Sequence, residues 1–180
     1  MAESVQAKWY VLRDLKRRNA KTLGYLELKD KGFEVFTPLK WEIIEKAGKR
    51  IRKEVPIIAD LLFVHSVKAE LDKVVSVTSS LQYRYKLGQT MHNPTVVRDK
   101  DMERFIDAVS KSTNVRYYLP EELGPEMYGK EVRIVGGPFD GYTGRLLSQR
   151  GTKKRHLIVE IPDFIAAAIE VQPEYIEFVD

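Results

Sequence analysis

Three runs of cationic side chains are the residues in this sequence best suited to act on a partner. They are Lys16-Arg17-Arg18 with Lys21 close behind, Lys49-Arg50-Ile51-Arg52-Lys53, and Lys153-Lys154-Arg155. Cations clustered in this way can neutralise phosphates and release counterions, although any one run is also what a solvated loop or helix face looks like. The net charge of +4 permits contact with a nucleic acid without demanding it.

Residues able to carry catalysis are scarcer. The histidines are His65, His92 and His156, and none has a second histidine or a carboxylate at the spacing of a metal site. A lone histidine in or beside a strand is normally structural. The absence of cysteine removes disulfides, thiolate metal sites and cysteine nucleophiles. The glycine-rich stretch Gly136-Gly137-Pro138-Phe139-Asp140-Gly141 lacks the Lys-Ser/Thr of a phosphate-binding loop. It is not a dinucleotide fingerprint either, because a strand and not a helix follows the glycines. There is no GxSxG elbow, and the carboxylates lie among Lys and Arg on polar faces. The expectation is a protein that is not an enzyme and needs no cofactor or metal.

The elements that must position the cationic runs follow from periodicity. Trp9-Tyr10-Val11-Leu12 alternates as a strand, and a helix runs from about Asn19, its plausible cap, to Lys31, with Gly32 as its stop. A strand over 33–36 ends at Pro38. Residues 41–56 form two extended arms around Lys46-Ala47-Gly48-Lys49, a hairpin with a basic tip. The apolar run 57–64 suits a central strand buried on both faces. A short helix over 69–75 and a strand over 83–87 follow. Met102, Phe105, Ile106 and Val109 give the helix over 99–110 one apolar face.

After Ser110 the character changes. Residues 111–127 are polar and carry Pro120, Gly124 and Pro125, which marks a linker. Residues 128–180 read as closely spaced strands, 131–135, 142–149, 156–161 and 167–171, enough for a small barrel. The predicted architecture is therefore an α+β domain over 1–110, with a small antiparallel sheet and packed helices, then the linker over 111–127 and an all-β barrel over 128–180. No apolar run is long enough to span a bilayer, and Met1 to Lys8 do not read as a secretory signal. The expected setting is the cytoplasm, with no membrane partner.

The segment from Gly129 to Leu146 resembles the KOW motif, in which a strand meets a glycine-rich turn and a second strand returns. Gly136 and Gly137 would supply positive φ, Gly141 and Gly144 a bend and close packing, and Val132, Ile134 and Leu146 would point inward. Lys8-Trp9-Tyr10-Val11-Leu12, Phe36-Thr37-Pro38, the basic hairpin and residues 57–64 are similar in order and spacing to the N-terminal domain of the NusG family, so the resemblance covers the chain from about Lys8 to Val179. Ala59, Asp60 and Leu61 depart from the family's usual proline-containing pattern in the central strand. That departure is similar to specialised paralogues, the UpxY-like and RfaH-like antiterminators of selected long operons.

The resemblance implies an SH3-like fold for the barrel and a non-enzymatic transcription factor that rides on RNA polymerase. Its N-terminal domain would hold the clamp helices of the polymerase's largest subunit and disfavour pausing. By position, Ile58, Phe63, Tyr85 and Leu87 would make that contact, which requires an exposed apolar patch; periodicity by itself places the same residues in the core. Arg17, Arg18 and Lys21 would face the non-template DNA strand. The KOW domain would recruit a ribosomal protein or a termination factor, through the strand over 156–161 and the aliphatic run 164–169. The alternative from another class is a ribosome-associated KOW protein that binds RNA with its barrel and the Lys153–Arg155 loop.

Overall fold

The computed structural model describes residues 6–17, 20–86, 88 and 93–179. The chain divides into two units, with the boundary between Asp99 and Lys100.

The first unit is built on β1 (Lys8–Asp14), whose alternating side chains are buried on both faces. A seven-residue helix, α1 (Gly24–Asp30), follows, then β2 (Glu34–Phe36). The ribbon β3 (Leu39–Lys46) and β4 (Lys49–Pro56) comes next, and after it β5 (Leu62–Ser66), α2 (Lys68–Val75), β6 (Leu81–Tyr83) and β7 (Val96–Val97). The sheet order is β2-β5-β1-β6, with β7 also paired to β1 and every pairing antiparallel. Tyr10 and Leu12 of β1 share a face with Leu62 and Val64 of β5. Leu28 of α1 and Leu71 of α2 close over them to form one core cluster. Burying each such aliphatic side chain stabilises the unit by roughly 1.5–3 kcal/mol.

Helix α1 starts later than the sequence pattern suggests. Its cap position is Leu23, which offers no side-chain acceptor. The acceptor comes from β1: the Gly24 N–H donates to the Asp14 carboxylate at 2.6 Å, and the Lys16 N–H to its other oxygen at 3.0 Å. Asp14 is buried, and a Cβ at position 24 would lie 2.8 Å from its Oδ2. The carboxylate thus fixes where the helix can begin. Asn19, expected as the cap, lies outside the described residues. Gly32 stops the helix with φ +85°.

Of the expected central strand over 57–64, only residues 62–64 are strand. Residues 57–60 bend and turn, and β5 begins at Leu62. Asp60 sits in that turn, where its carboxylate accepts from Arg13 at 3.2 Å and faces Arg84 at 3.4 Å.

The second unit contains α3 (Asp99–Lys111), β8 (Val115–Tyr118), β9 (Tyr128–Ile134), β10 (Thr143–Leu147), β11 (Arg155–Ile161), β12 (Ile165–Val171) and β13 (Ile176–Phe178). Six strands pair in the order β13-β9-β10-β11-β12-β8. The chain as a whole is mixed α/β. The boundary expected after Ser110 moves because α3 is tied to β10. Arg104 donates to the Thr143 carbonyl and lies 5.2 Å from the Tyr142 ring centre, while the Tyr142 hydroxyl donates to Asp107 at 2.6 Å. Lys111 first, and Tyr142 second, hold the Asp107 carboxyl below the usual carboxylate range.

Residues 111–127 are not a free connector either. They hold β8, which pairs with β12, and two 3-10 turns at Pro120–Glu122 and Pro125–Met127. This stretch lays Leu123 and Met127 against Leu147, Ile158, Ala166 and Ala168.

Candidate nucleic-acid and polymerase interface

Lys16, Arg17 and Lys21 lie on the loop between β1 and α1, and they do not share one role. Lys16 is committed to the fold: its ammonium donates to the Thr22 carbonyl at 3.0 Å and is ion-paired with Glu27. Arg17 and Lys21 are exposed. Arg18 lies outside the described residues.

The ribbon stands beside this loop. Its strands pair from Leu39↔Pro56 to Lys46↔Lys49 around an Ala47-Gly48 turn with φ of 51° and 72°. Positive φ at both central residues matches the right-handed twist of the arms, which is why glycine follows alanine there. Residues opposite one another in register share a face. One face carries Glu42, Ile44, Lys53 and Val55, and these line a groove with Ala20 and Lys21. Two basic runs that the sequence keeps apart, around Lys21 and at the hairpin tip, therefore border a single groove in which Lys46 and Lys53 also stand. The other face presents Trp41, Ile43, Glu45, Arg50, Arg52 and Glu54. Trp41 is 56% exposed and Ile43 74%. The Arg52 guanidinium sits over the Trp41 ring at 4.6 Å, an exposed cation–π contact worth roughly 0.5–1 kcal/mol to the ribbon. The alternation of Trp41 and Ile43 is the sequence signal for this face, and it is the same signal that marks the hairpin.

The residues proposed by position for polymerase contact separate. Phe63 is fully buried in β5, its ring 6.3 Å from that of Phe36, because β5 lies between β1 and β2 and both its faces are covered. Phe63 is a core residue, and the expectation that it is exposed is corrected. Ile58 is half-buried in the turn before β5, and Tyr85 is 39% exposed just after β6. Arg84 donates to the Asp60 carbonyl at 3.1 Å, so the segments carrying Ile58 and Tyr85 are held together. Leu87 lies outside the described residues.

In the second unit the glycine turn has the expected backbone. Gly136, Gly137 and Gly141 have φ of 99°, 70° and 81°. The Tyr175 ring packs so closely on Gly136 and Gly137 that a Cβ would fall 3.0 and 2.8 Å from it. Gly144 lies against the Ile158 carbonyl at 3.2 Å from an added Cβ. Val132, Ile134 and Leu146 are buried as expected. The aliphatic run expected to meet a second partner is not a surface: Ile165 to Ile169 are all buried, with Leu123 and Met127 packed over Ala166 and Ala168. On β11, His156 is 2% exposed and its Nε2 has no hydrogen-bond partner. Burial first, then Arg116, with Lys154 adding and Glu170 opposing, holds its pKa below the ordinary value.

Among the described residues no three His, Cys, Asp or Glu side chains gather as a metal site, and no helix is long and apolar enough to cross a membrane. A comparison with curated proteins gives no match. The family described as transcription termination factor nusG matches residues 7–106, more than half of the chain, taking in the whole first-unit sheet, the loop with Arg17 and Lys21, and the ribbon. By that match the chain belongs to the NusG family of transcription elongation and termination factors.

Proposed function

We propose that this chain is a transcription elongation regulator that binds RNA polymerase through its first unit and suppresses pausing. The observation that carries the reading is the family match over residues 7–106, which coincides with the unit bearing the basic loop and ribbon. In this reading the unit docks on the clamp helices of the polymerase's largest subunit, with Ile58 and Tyr85 at the contact. Arg17 and Lys21 face the phosphates of the non-template DNA strand, which supply affinity independent of sequence. The chain acts by binding and not by catalysis.

The departure at Ala59, Asp60 and Leu61 supports a specialised, UpxY-like or RfaH-like factor working on selected operons. In this structure Asp60 is engaged by Arg13 and Arg84, so the departure changes the loop beside the proposed contact. The second unit is read as a KOW domain of SH3-like type that recruits a ribosomal protein or a termination factor. Its glycine turn, packed on Tyr175, supports that reading.

The test is retention of RNA polymerase by the full chain, followed by a pausing assay on a purified elongation complex. The wild type should be retained and should shorten pauses. Tyr85→Ala combined with Ile58→Asp should lose both, with an unchanged melting temperature. Retention of ribosomes in place of polymerase would refute the proposal.

A further inference from the structure

The turn before β5 carries one side chain on which separate segments of the chain converge. The ends of the turn are pinned without it. The Ile57 N–H donates to the Pro38 carbonyl at 2.8 Å, and the buried Thr37 hydroxyl donates to the Leu61 carbonyl at 3.0 Å. Between those ends, Asp60 reaches outward. Its carboxylate accepts from Arg13 of β1 at 3.2 and 3.3 Å and faces Arg84 at 3.4 Å, while its backbone carbonyl accepts from Arg84 at 3.1 Å. Arg84 is itself held: its N–H donates to the Val11 carbonyl at 2.9 Å, and its own carbonyl accepts from the buried Thr95 at 2.8 Å.

Magnitude decides what this cluster is for. The Asp60, Arg13 and Arg84 side chains are 41%, 47% and 30% exposed, and ion pairs so open to water add little to stability. Arg84 also turns its Nε into the protein, where it meets no acceptor among the described residues, an arrangement that costs stability. What the cluster does fix is geometry. Ile58 lies just before Asp60 in the same turn, and Tyr85 directly follows Arg84. We infer that Asp60 is a positioning residue: through Arg84 and Arg13 it locks the turn to β1 and to the segment after β6, so that Ile58 and Tyr85 stand as one preformed surface. A surface ordered before binding loses less freedom when a partner arrives. The identity of that partner, RNA polymerase, rests on the function proposed above. The lock itself does not depend on that reading.

The experiment uses the full chain, first without polymerase. Hydrogen exchange in Asp60→Ala should be at least about tenfold faster than in the wild type at the amides of residues 58–61, and unchanged in the middle of β1 and β5. With purified core RNA polymerase, Asp60→Ala should bind about tenfold more weakly, the equivalent of about one side chain left to be ordered on binding. Asp60→Asn, which keeps an acceptor and loses the charge, should fall between the two. A cycle with Ile58 separates positioning from general damage: Asp60→Ala combined with Ile58→Ala should bind no more than about twofold more weakly than Ile58→Ala alone. The melting temperature of Asp60→Ala should fall by less than about 4 °C. A larger fall transfers every measurement to Arg13→Gln, which removes one cation, leaves the carboxylate with Arg84 and should move exchange and affinity in the same direction.

Unchanged exchange at residues 58–61 overturns the inference whatever polymerase does. Faster exchange with wild-type affinity overturns it too, because binding then gains nothing from the ordered turn. Losses that multiply in the double variant show that Asp60 acts independently of Ile58, and they overturn it as well. A wild type that does not bind polymerase refutes the proposed function, and the exchange rates alone then decide whether Asp60 locks the turn.

Discussion

The β3–β4 ribbon and the β11–β12 pair are built on the same backbone plan: two consecutive antiparallel strands of seven or eight residues in unbroken register. Their surroundings are opposite. In β12, Ile165 to Ile169 are buried on both faces, whereas in the ribbon the side chains from Trp41 to Arg52 stand largely in solvent. Pairing of backbones therefore does not decide what a strand pair is for. What decides is whether both faces find cover: β12 has neighbours on both edges and the 119–128 stretch over Ala166 and Ala168, while the ribbon forms a sheet of its own. Where cover exists the side chains are small and aliphatic. Where it does not, they are mostly charged, Lys and Arg standing opposite Glu across the ribbon, with Trp41 and Ile43 among them.

Four measurements would break or sharpen that contrast. The largest effect is expected from Ala167→Asp, which puts a carboxylate at a fully buried site in the middle of β12. It should cost about 4 kcal/mol or more, seen in urea unfolding as loss of the second unit's transition. A cost under about 1 kcal/mol would mean that β12 is not enclosed.

Next is the cover itself. A fragment of residues 128–180 lacks β8, Leu123 and Met127, and it should be less stable than residues 112–180, which keep them and equally lack α3, by about 3 kcal/mol, the equivalent of a few exposed apolar side chains. Equal stability would return 111–127 to the role of linker.

A smaller effect concerns pH. His156 has a depressed pKa in the folded state, so above about pH 6.5, its ordinary value, both states are neutral and nothing is lost. As pH falls below that value the unfolded chain takes up a proton and the folded chain does not. Stability of the second unit should therefore decline with acidity, by no more than about 1.4 kcal/mol per pH unit for one proton, and flatten once the folded-state pKa is passed. His156→Gln should remove the slope between pH 6.5 and 5. A slope that survives belongs to other groups. The smallest change is expected at the ribbon, where Ile43→Thr should alter stability by less than about 0.5 kcal/mol; a larger loss would show that Ile43 is covered after all.

Much of this contrast can be read from the sequence. The alternation in β1, the apolar stripe of α3, the hairpin around Ala47-Gly48 and the glycine turn at 136–141 all report local rules, and local rules survive folding. The misreadings share one cause, a partner distant in sequence. Helix α1 begins at Gly24 because a carboxylate ten residues earlier caps it. Strand β8, with Arg116 between Val115 and Tyr117, is too polar and short to announce itself, and it forms because β12 needs a neighbour. Residues 57–60 read as strand, and they bend where Asp60 engages Arg13 and Arg84. At the candidate site, the cations were legible as clusters. That Lys16 is consumed by Glu27 and Thr22, that Phe63 is core, and that Lys21 shares a groove with Lys46 and Lys53 are facts of three-dimensional neighbourhood that no window of sequence contains.

The pairing of β8 with β12 also sets a temporal order. Synthesis runs from the N-terminus, so Val115–Tyr118 leaves the ribosome well before its partner at Ala166–Ile169 has been made. Until then β8 has no strand to join, and once β12 emerges its edge remains open until that distant segment returns. Closing so wide a loop is slow relative to hairpin formation, so β11 and β12 are expected to form first and β8 to be recruited last. For that interval an alanine-rich strand with unpaired N–H and C=O groups faces the solvent of a crowded polysome, where the same strand on a neighbouring nascent chain offers an equivalent match. Pairing by Val115–Tyr118 is thus what removes the β12 edge from the reach of a neighbouring copy.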